Sequence, residues 1–410
     1  MASKTFSLCF TLLMICSPLF LLPSDAARIH LGLHGRRNNH HHRHHVSSPP
    51  TTTTNTPPSP PPMSGDRATN HCSYDAIYNF GDSISDTGNL IREGPAGAFS
   101  PFAHLPYGET YFNKATGRCS NGLLMIDFLA EKVGLPMLNP YLDKSASFNQ
   151  GVNFAVAGST AMETERLMDK RILSPVTNSS LLVQFDWFKD HLRYICSTDA
   201  ECANKLRKAI FMVGETGGND INYALLQGKT IAEAQSLVHD IVNNIIKVAL
   251  RLIDLGATKL VVPGNFPIGC FPIYLDAFEN SLTFDENSCL KELNELAMYQ
   301  NQYLQRALQQ LREEKPDVVI LYADYYKAFQ HVFNNASQLG FDEITKETAC
   351  CGAGGNYHFT LARMCGTDEA GVCSNPNQFI SWDGIHPTQA AYQRMAEWLI
   401  KDLSVFHCTA

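Results

Sequence analysis

Five short apolar runs recur along the chain between segments of helical period: Ala76 to Phe80, Val152 to Val156, Ile210 to Val213, Leu260 to Val262 and Val318 to Tyr322. The first stops at Gly81, and the others have the same look. Runs this short and this continuous, with no polar alternation, read as strands covered on both faces, and such strands belong to parallel sheets. Between them, Ile231, Ala234, Val238, Ile241, Ile245, Val248 and Leu252 mark one helical face that ends at Gly256. Leu293, Leu296, Tyr303, Ala307, Leu308 and Leu311 mark another, and Thr388 to Leu403 gives a final helix. This alternation predicts one α/β domain over residues 71–410 with a doubly wound sheet and no internal repeat. Functional groups should then gather beyond the carboxyl ends of the strands.

The first 70 residues do not follow that pattern. Lys4 precedes the apolar run Phe6 to Leu22, and Ser24-Asp25-Ala26 follows, which predicts a secretory signal peptide over residues 1–26. A membrane anchor is the competing reading; the run is short and broken by Pro18, and no later stretch reaches the ~18 apolar residues a span requires. Residues 27–70 hold seven histidines from His30 to His45, then seven prolines from Ser47 to Met63, and read as an extended, disordered arm. Its histidines could meet a metal or an acidic surface, and its Pro/Thr/Ser stretch could hold the body away from a wall. A solvated tail and a plain linker are the simpler readings.

With 410 residues, 44% of them hydrophobic and 18% charged, the chain has enough apolar material for one large core or two small ones. The first 70 residues carry six Lys/Arg and two Asp/Glu, so the overall charge of −8 becomes −12 over the remainder, which excludes a nucleic-acid binder. Eleven cysteines follow the expected signal: Cys72, Cys119, Cys196, Cys202, Cys270, Cys289, Cys350, Cys351, Cys365, Cys373 and Cys408. An odd count leaves at least one thiol unpaired within the chain. Close spacing suggests bridges such as Cys196 to Cys202, Cys270 to Cys289 and one within Cys350 to Cys373, although connectivity does not follow from spacing. No Cys-x-x-Cys pair or His-Glu-x-x-His helix suggests a metal site, and sequons at Asn178 and Asn335 agree with a glycosylated, secreted chain.

The chemistry emerges from four segments. The first strand runs into Gly81-Asp82-Ser83-Ile84-Ser85-Asp86, which puts a hydroxyl where a nucleophile would stand; taken alone, a helix cap is the simpler reading. Near the other end, Trp382-Asp383-Gly384-Ile385-His386-Pro387 sets a carboxylate three residues from an imidazole, close enough for Asp383 to hold one ring nitrogen while the other accepts from a serine. Two further strand ends, around Gly158-Ser159 and Gly217-Gly218-Asn219-Asp220, offer an unobstructed backbone N–H and a side-chain amide to a developing oxyanion. A tight turn and a helix cap are their ordinary uses. The combination, in this order, points to acyl transfer.

These blocks resemble the plant GDSL esterase/lipases of the SGNH hydrolase superfamily over roughly Cys72 to Cys408. Pro106-Tyr107-Gly108, Gly117-Arg118-Cys119-Ser120-Asn121-Gly122, Pro267-Ile268-Gly269-Cys270 and Cys350-Cys351-Gly352-Ala353-Gly354-Gly355 are further matches. The resemblance implies a flavodoxin-like, three-layer α/β/α sandwich with a parallel five-stranded sheet. It implies Ser83 as nucleophile, His386 as general base and acid, Asp383 as its orienting group, and an oxyanion hole of Ser83, Gly158 and Asn219. No metal or organic cofactor enters such a reaction. Ile84 stands where the family's name-giving leucine usually does, an exchange of equal volume that touches no chemistry. A Gly-x-Ser-x-Gly elbow is absent, which argues against the α/β-hydrolase version of the same chemistry.

The overall look is closest to the subgroup that includes esterases of acetylated alkaloids and of sinapate or choline esters. That implies a small acetyl or hydroxycinnamoyl ester as substrate and a secreted protein of the apoplast, with the vacuole as another destination. Two alternatives share the sequence: transfer of the acyl group to an alcohol, and a wall- or defence-associated binding protein in which the arm contacts a surface and catalysis is incidental. Apolar residues in Phe266 to Phe278 suit either an acyl pocket or core packing.

Overall fold

The structure, a computed structural model, describes residues 74–407; the expected signal peptide, the arm, Cys72 and Cys408 lie outside the described residues. Five parallel strands form the central sheet: β1 (Ala76–Phe80), β2 (Gly151–Asn153), β3 (Ala209–Val213), β4 (Lys259–Pro263) and β5 (Val319–Ala323). They lie in the order β2-β1-β3-β4-β5. In register, Ile77 lies opposite Gly151 on one side and Ile210 on the other, and Leu260 lies opposite Ile320. The order reverses at β1, so the crevice between the carboxyl ends of β1 and β3 is the natural place for a ligand.

The strands are apolar throughout because helices cover both faces. Helix Leu181–Ile195 packs on β1 and on Val238–Asp254, which in turn packs on β3 and on Lys291–Glu314. The second layer is a row of Met125–Lys132, Gln389–Asp402 and Tyr325–Asn334. Phe188 shows how tightly the first layer closes: its ring meets those of Tyr78, Phe80 and Phe211 edge-on at 5.2, 5.8 and 5.8 Å. Such pairs add to the stabilisation that burial alone supplies.

Two elements differ from the sequence pattern. The second apolar run pairs as a strand only to Asn153, yet it keeps strand-like bonds beyond it: Phe154 donates to the Asn79 carbonyl and Val156 to the Gly81 carbonyl. The Ala155 carbonyl turns away to accept from the Asn89 side chain, which ends the ladder. The single face from Ile231 to Leu252 is carried by two helices, Ile231–Gln235 and Val238–Asp254. A capping box from Thr230 to Glu233 starts the first, and the Ser236 hydroxyl turns back onto the Glu233 carbonyl, so the chain pauses while the apolar spacing continues.

Four disulfides are present: Cys196–Cys202, Cys270–Cys289, Cys350–Cys373 and Cys351–Cys365. Cys119 is the unpaired cysteine among the described residues and is buried. The last two bridges sit about a small ribbon of Cys351–Gly352 against Gly371–Val372 and pack on Trp382, beside the Asp383 to His386 turn. Among the described residues, no helix is long and apolar enough to cross a membrane.

His191 lies in the aromatic layer with its ring 5.8 Å from both Tyr78 and Phe148, and its Nε2 has no partner. Burial lowers its pKa from 6.5 to about 4. A depressed histidine leaves the unfolded chain binding a proton that the native state refuses, so its contribution to stability is lost as the pH falls from about 6.5 towards 4. The stability of His191→Phe relative to wild type should therefore improve by about 3 kcal/mol between pH 7 and pH 4. Paired urea titrations across that range measure the difference and cancel every other titrating group.

Candidate active site

The loop after β1 is held from both sides before any reactive group is considered. Gln184 accepts from the Gly81 N–H at 2.9 Å and donates to the Gly81 carbonyl at 2.8 Å, which fixes the strand end. Asp86, fully buried, accepts four backbone N–H bonds: Gly88 and Asn89 at 2.7 and 2.6 Å on Oδ1, Leu90 and Ala157 at 3.0 and 2.8 Å on Oδ2. The Ala157 bond ties the loop after β1 to the turn that carries Gly158. Asp220 makes the next tie, accepting from Ala161 and Met162 at 2.9 and 3.0 Å. Asp86 and Asp220 thus join three of the four sequence blocks through backbone.

Within this frame Ser83 Oγ lies 2.8 Å from His386 Nε2, and His386 Nδ1 lies 2.7 Å from Asp383 Oδ2. The contact spans 303 residues, yet all three side chains are at least nine-tenths buried. No helix begins at Ser83, so its hydroxyl is not a cap. The turn that carries the other two is built from the aspartate itself, because Asp383 Oδ1 accepts the backbone N–H groups of Ile385 and His386. Gly384 between them has φ +91, and a Cβ there would fall 2.3 Å from the Phe359 ring, so glycine is required. Burial pushes the Asp383 carboxyl up, but the charge and hydrogen bond of His386 and the two N–H groups outweigh it and hold the group below the ordinary range.

The other two predicted groups flank this array. Gly158 has φ +81, and any Cβ would meet Val176 at 2.5 Å; its carbonyl accepts from the Tyr223 hydroxyl at 2.8 Å. Among the described residues, no acceptor takes the backbone N–H of Ser83 or of Gly158. Asn219 stands in the first turn of helix Gly218–Leu226 and donates to the Ser159 carbonyl at 2.9 Å and to Asp82 Oδ2 at a longer 3.3 Å. The longer bond marks the amide hydrogen that is more easily released to another acceptor. The array therefore brings a serine hydroxyl within hydrogen-bond reach of an imidazole that is itself bonded to a carboxylate.

Matched against known proteins, residues 77–399 fit the family model described as GDSL-like Lipase/Acylhydrolase. The chain belongs to that family. It is 46% identical to acetylajmalan esterase 1 of Rauvolfia serpentina over 332 residues, covering 81% of this chain and 87% of that one. It is 42% identical to a GDSL esterase/lipase of Arabidopsis thaliana over 336 residues, covering 80% and 90%. The protein is an esterase, a hydrolase acting on ester bonds.

Sequence reasoning assigned no role to several residues of this site, Tyr107 of the Pro106-Tyr107-Gly108 match among them. Tyr107 donates to Asp383 Oδ2 at 2.8 Å. Glu215, after β3, offers its carbonyl to the Asp82 N–H at 3.0 Å, and its own carboxyl is buried nearby. Burial raises Asp82 to about 7, with the Ile84 N–H and His386 pulling it down and Asp220 and Asp86 pushing it up. Burial raises Glu215 well above the carboxylate range, and Asp82 adds to the shift. Most apolar residues of Phe266 to Phe278 are core: Phe266 packs on Phe271, Tyr325 and Phe329. Phe271 also lines a narrow crevice with Pro272, Phe329, Ile385 and His386. A roomier cavity of about 400 Å³ lies elsewhere, with Glu163, Arg166, Asp169, Lys170, Asp240 and Lys247 among its walls and none of Ser83, Gly158, Asn219, Asp383 or His386.

Replacing Asp86 by asparagine substitutes an NH2 for one of the oxygens that collect N–H groups, leaving buried donors facing a donor. Asp86→Asn should lower the unfolding free energy by about 3 kcal/mol or more, and chemical denaturation followed by tryptophan fluorescence measures it.

Proposed function

We propose that this esterase works through an acyl-enzyme in which Ser83 attacks the ester carbonyl and His386 takes its proton, with Asp383 holding the imidazole. The observation that carries the reading is the unbroken chain from Ser83 Oγ through both ring nitrogens of His386 to Asp383 Oδ2. Attack moves the Ser83 proton to His386 Nε2 and converts the carbonyl to a tetrahedral oxyanion. The N–H groups of Ser83 and Gly158 and the Asn219 amide receive that charge, and Asn219 exchanges its longer bond to Asp82 for one to the oxyanion. His386 then gives its proton to the departing alcohol, and water, deprotonated by the same nitrogen, releases the acid and restores Ser83.

We infer as substrate the small acyl ester of a plant specialised metabolite, an acetyl or hydroxycinnamoyl ester. Similarity to acetylajmalan esterase 1 supports the acetyl side of this reading. The four disulfides support a secretory route, because such bridges persist in oxidising compartments. Asn178 is exposed and Asn335 half-buried at a helix end, positions a glycan on this secreted chain would occupy.

Hydrolysis of a chromogenic acetyl ester, with and without an alcohol acceptor, tests the reading. Ser83→Ala should lower turnover by on the order of a thousandfold or more, and Asn219→Ala should cost about 3 kcal/mol of transition-state stabilisation with KM little changed. Unaltered turnover in Ser83→Ala would remove the serine route. A new ester formed only when alcohol is present would make the protein a transferase by the same intermediate.

A further inference from the structure

We propose that Tyr107 is a positioning residue of this esterase, donating its hydroxyl to the one Asp383 oxygen that also receives the His386 Nδ1 proton and so setting the orientation and basicity of that carboxylate. The inference rests on the Ser83–His386–Asp383 reading above. It adds a residue 276 positions away from Asp383 and in no block that carries a reacting atom.

A carboxylate has room for about four hydrogen bonds, and Asp383 has four. Oδ1 takes the N–H groups of Ile385 and His386 at 3.0 and 2.8 Å, and Oδ2 takes His386 Nδ1 at 2.7 Å and the Tyr107 hydroxyl at 2.8 Å. The first two bonds are local and form with the turn itself. Of the two on Oδ2, one belongs to the reacting imidazole, so among the described residues Tyr107 is the single donor from outside the turn that fixes the carboxylate plane.

The phenol is itself held. Its ring is 2% exposed and meets Phe102 edge-on at 4.9 Å and Trp382 at 6.2 Å, while Phe102 meets the His386 ring edge-on at 5.8 Å. Burial raises the Tyr107 phenol well above its ordinary value, and the charges of Asp383 and Cys119 add to the shift, so the group keeps its proton and remains a donor. The other ionisable groups with electrostatic influence on this pair are Asp82, which acts with His386, and Cys119 and Tyr392, which act with Asp383.

The physical consequence has a sign. A carboxylate that shares its charge between two donors on one oxygen grips the imidazolium less tightly than one with a single donor. Removing the Tyr107 hydroxyl concentrates charge on Oδ2, which favours the protonated imidazole and lets the carboxylate rotate.

Tyr107→Phe deletes that hydroxyl and retains the ring. With active enzyme counted by a stoichiometric phosphonylating reagent, a phosphonate with a good leaving group that Ser83 displaces, its kcat/KM should fall about tenfold at neutral pH with KM little changed. The acidic limb of its pH profile should move upward by about half a unit or more. In an Asp383→Asn background the same substitution should change the residual rate less than about twofold, because both act through one contact. A purely packing role for Tyr107 would lower the melting temperature and the active fraction but leave the limb in place and the factor unchanged in both backgrounds, and that result overturns the proposal. Should the Phe variant yield no folded enzyme, Tyr107→Gln, which keeps a donor, should preserve the wild-type limb; a limb moved upward in that variant counts against it. Ser83→Ala assayed alongside separates the two failures: full activity there defeats the triad reading itself, whereas lost activity with an unmoved limb in Tyr107→Phe defeats this inference alone.

Discussion

Buried aspartates that collect backbone N–H groups hold this site together. Asp86 gathers four such groups, Asp220 two, and Asp383 two in addition to its side-chain partners. Loops leaving a parallel sheet have no ladder to satisfy them, and an unpaired N–H buried among helices is costly. A carboxylate answers several at once, and its formal charge is spread over donors aimed at it. The positions of Ser83, Gly158 and Asn219 follow, because each lies within three residues of a segment so anchored. Arg118 and Asp127 use the same economy at the start of a helix: Asp127 accepts the guanidinium in two bonds of 2.8 Å and the Leu124 N–H at 2.9 Å.

Topology decides where these anchored loops meet. The chain moves from β1 outward to β2, then crosses back to β3, so the loops after β1 and β3 diverge above adjacent strands and leave a crevice. Ser83 comes from the first and Asn219 from the second. His386 arrives from the far end of the chain on a turn that is fastened three ways: to Ser83, to Tyr107 through Asp383, and to the Cys350–Cys373 and Cys351–Cys365 segment. There Cys351 N–H donates to the Trp382 carbonyl at 2.6 Å and Cys350 N–H to the Ser381 carbonyl at 3.0 Å. Those cross-links stiffen a segment that carries little regular structure of its own.

Features encoded over a few residues were legible in the sequence, and features that depend on distant partners were not. The five strands could be read because covering both faces leaves continuous apolar runs, and the family because Asp82-Ser83, Gly158, Asn219 and Asp383 to His386 are compact motifs. The Asp383 to His386 contact followed from a spacing of three. Close cysteine pairs were legible, but which partners join within Cys350 to Cys373 depends on a ribbon that no local pattern announces. The break at Ser236 escaped notice because the apolar spacing from Ala234 to Val238 is helical on either side of it. Tyr107 was legible as part of the Pro106-Tyr107-Gly108 match, but its contact with Asp383, 276 residues away, was not. Asp86 reads as a turn residue until Ala157 is seen to donate to it.

A reaction that develops negative charge beside Asp82, Asp86, Asp220 and Glu215 looks electrostatically self-defeating, and the burial of these groups resolves the difficulty. Burial pushes Glu215 well above the carboxylate range, which disfavours its charged form and the repulsion that form would add. Burial raises Asp82 to about 7, and in the proposed mechanism its Oδ2 is the acceptor that Asn219 exchanges for the oxyanion. Asp86 and Asp220 are also raised by burial, and the N–H donors around each draw the shift back. Of the buried carboxylates around Ser83, Asp383 is held below the ordinary range and has the His386 imidazole on its oxygen. In the proposed mechanism, negative charge is thereby favoured on the carboxylate that faces the imidazolium, while burial disfavours it on the carboxyls nearer the oxyanion.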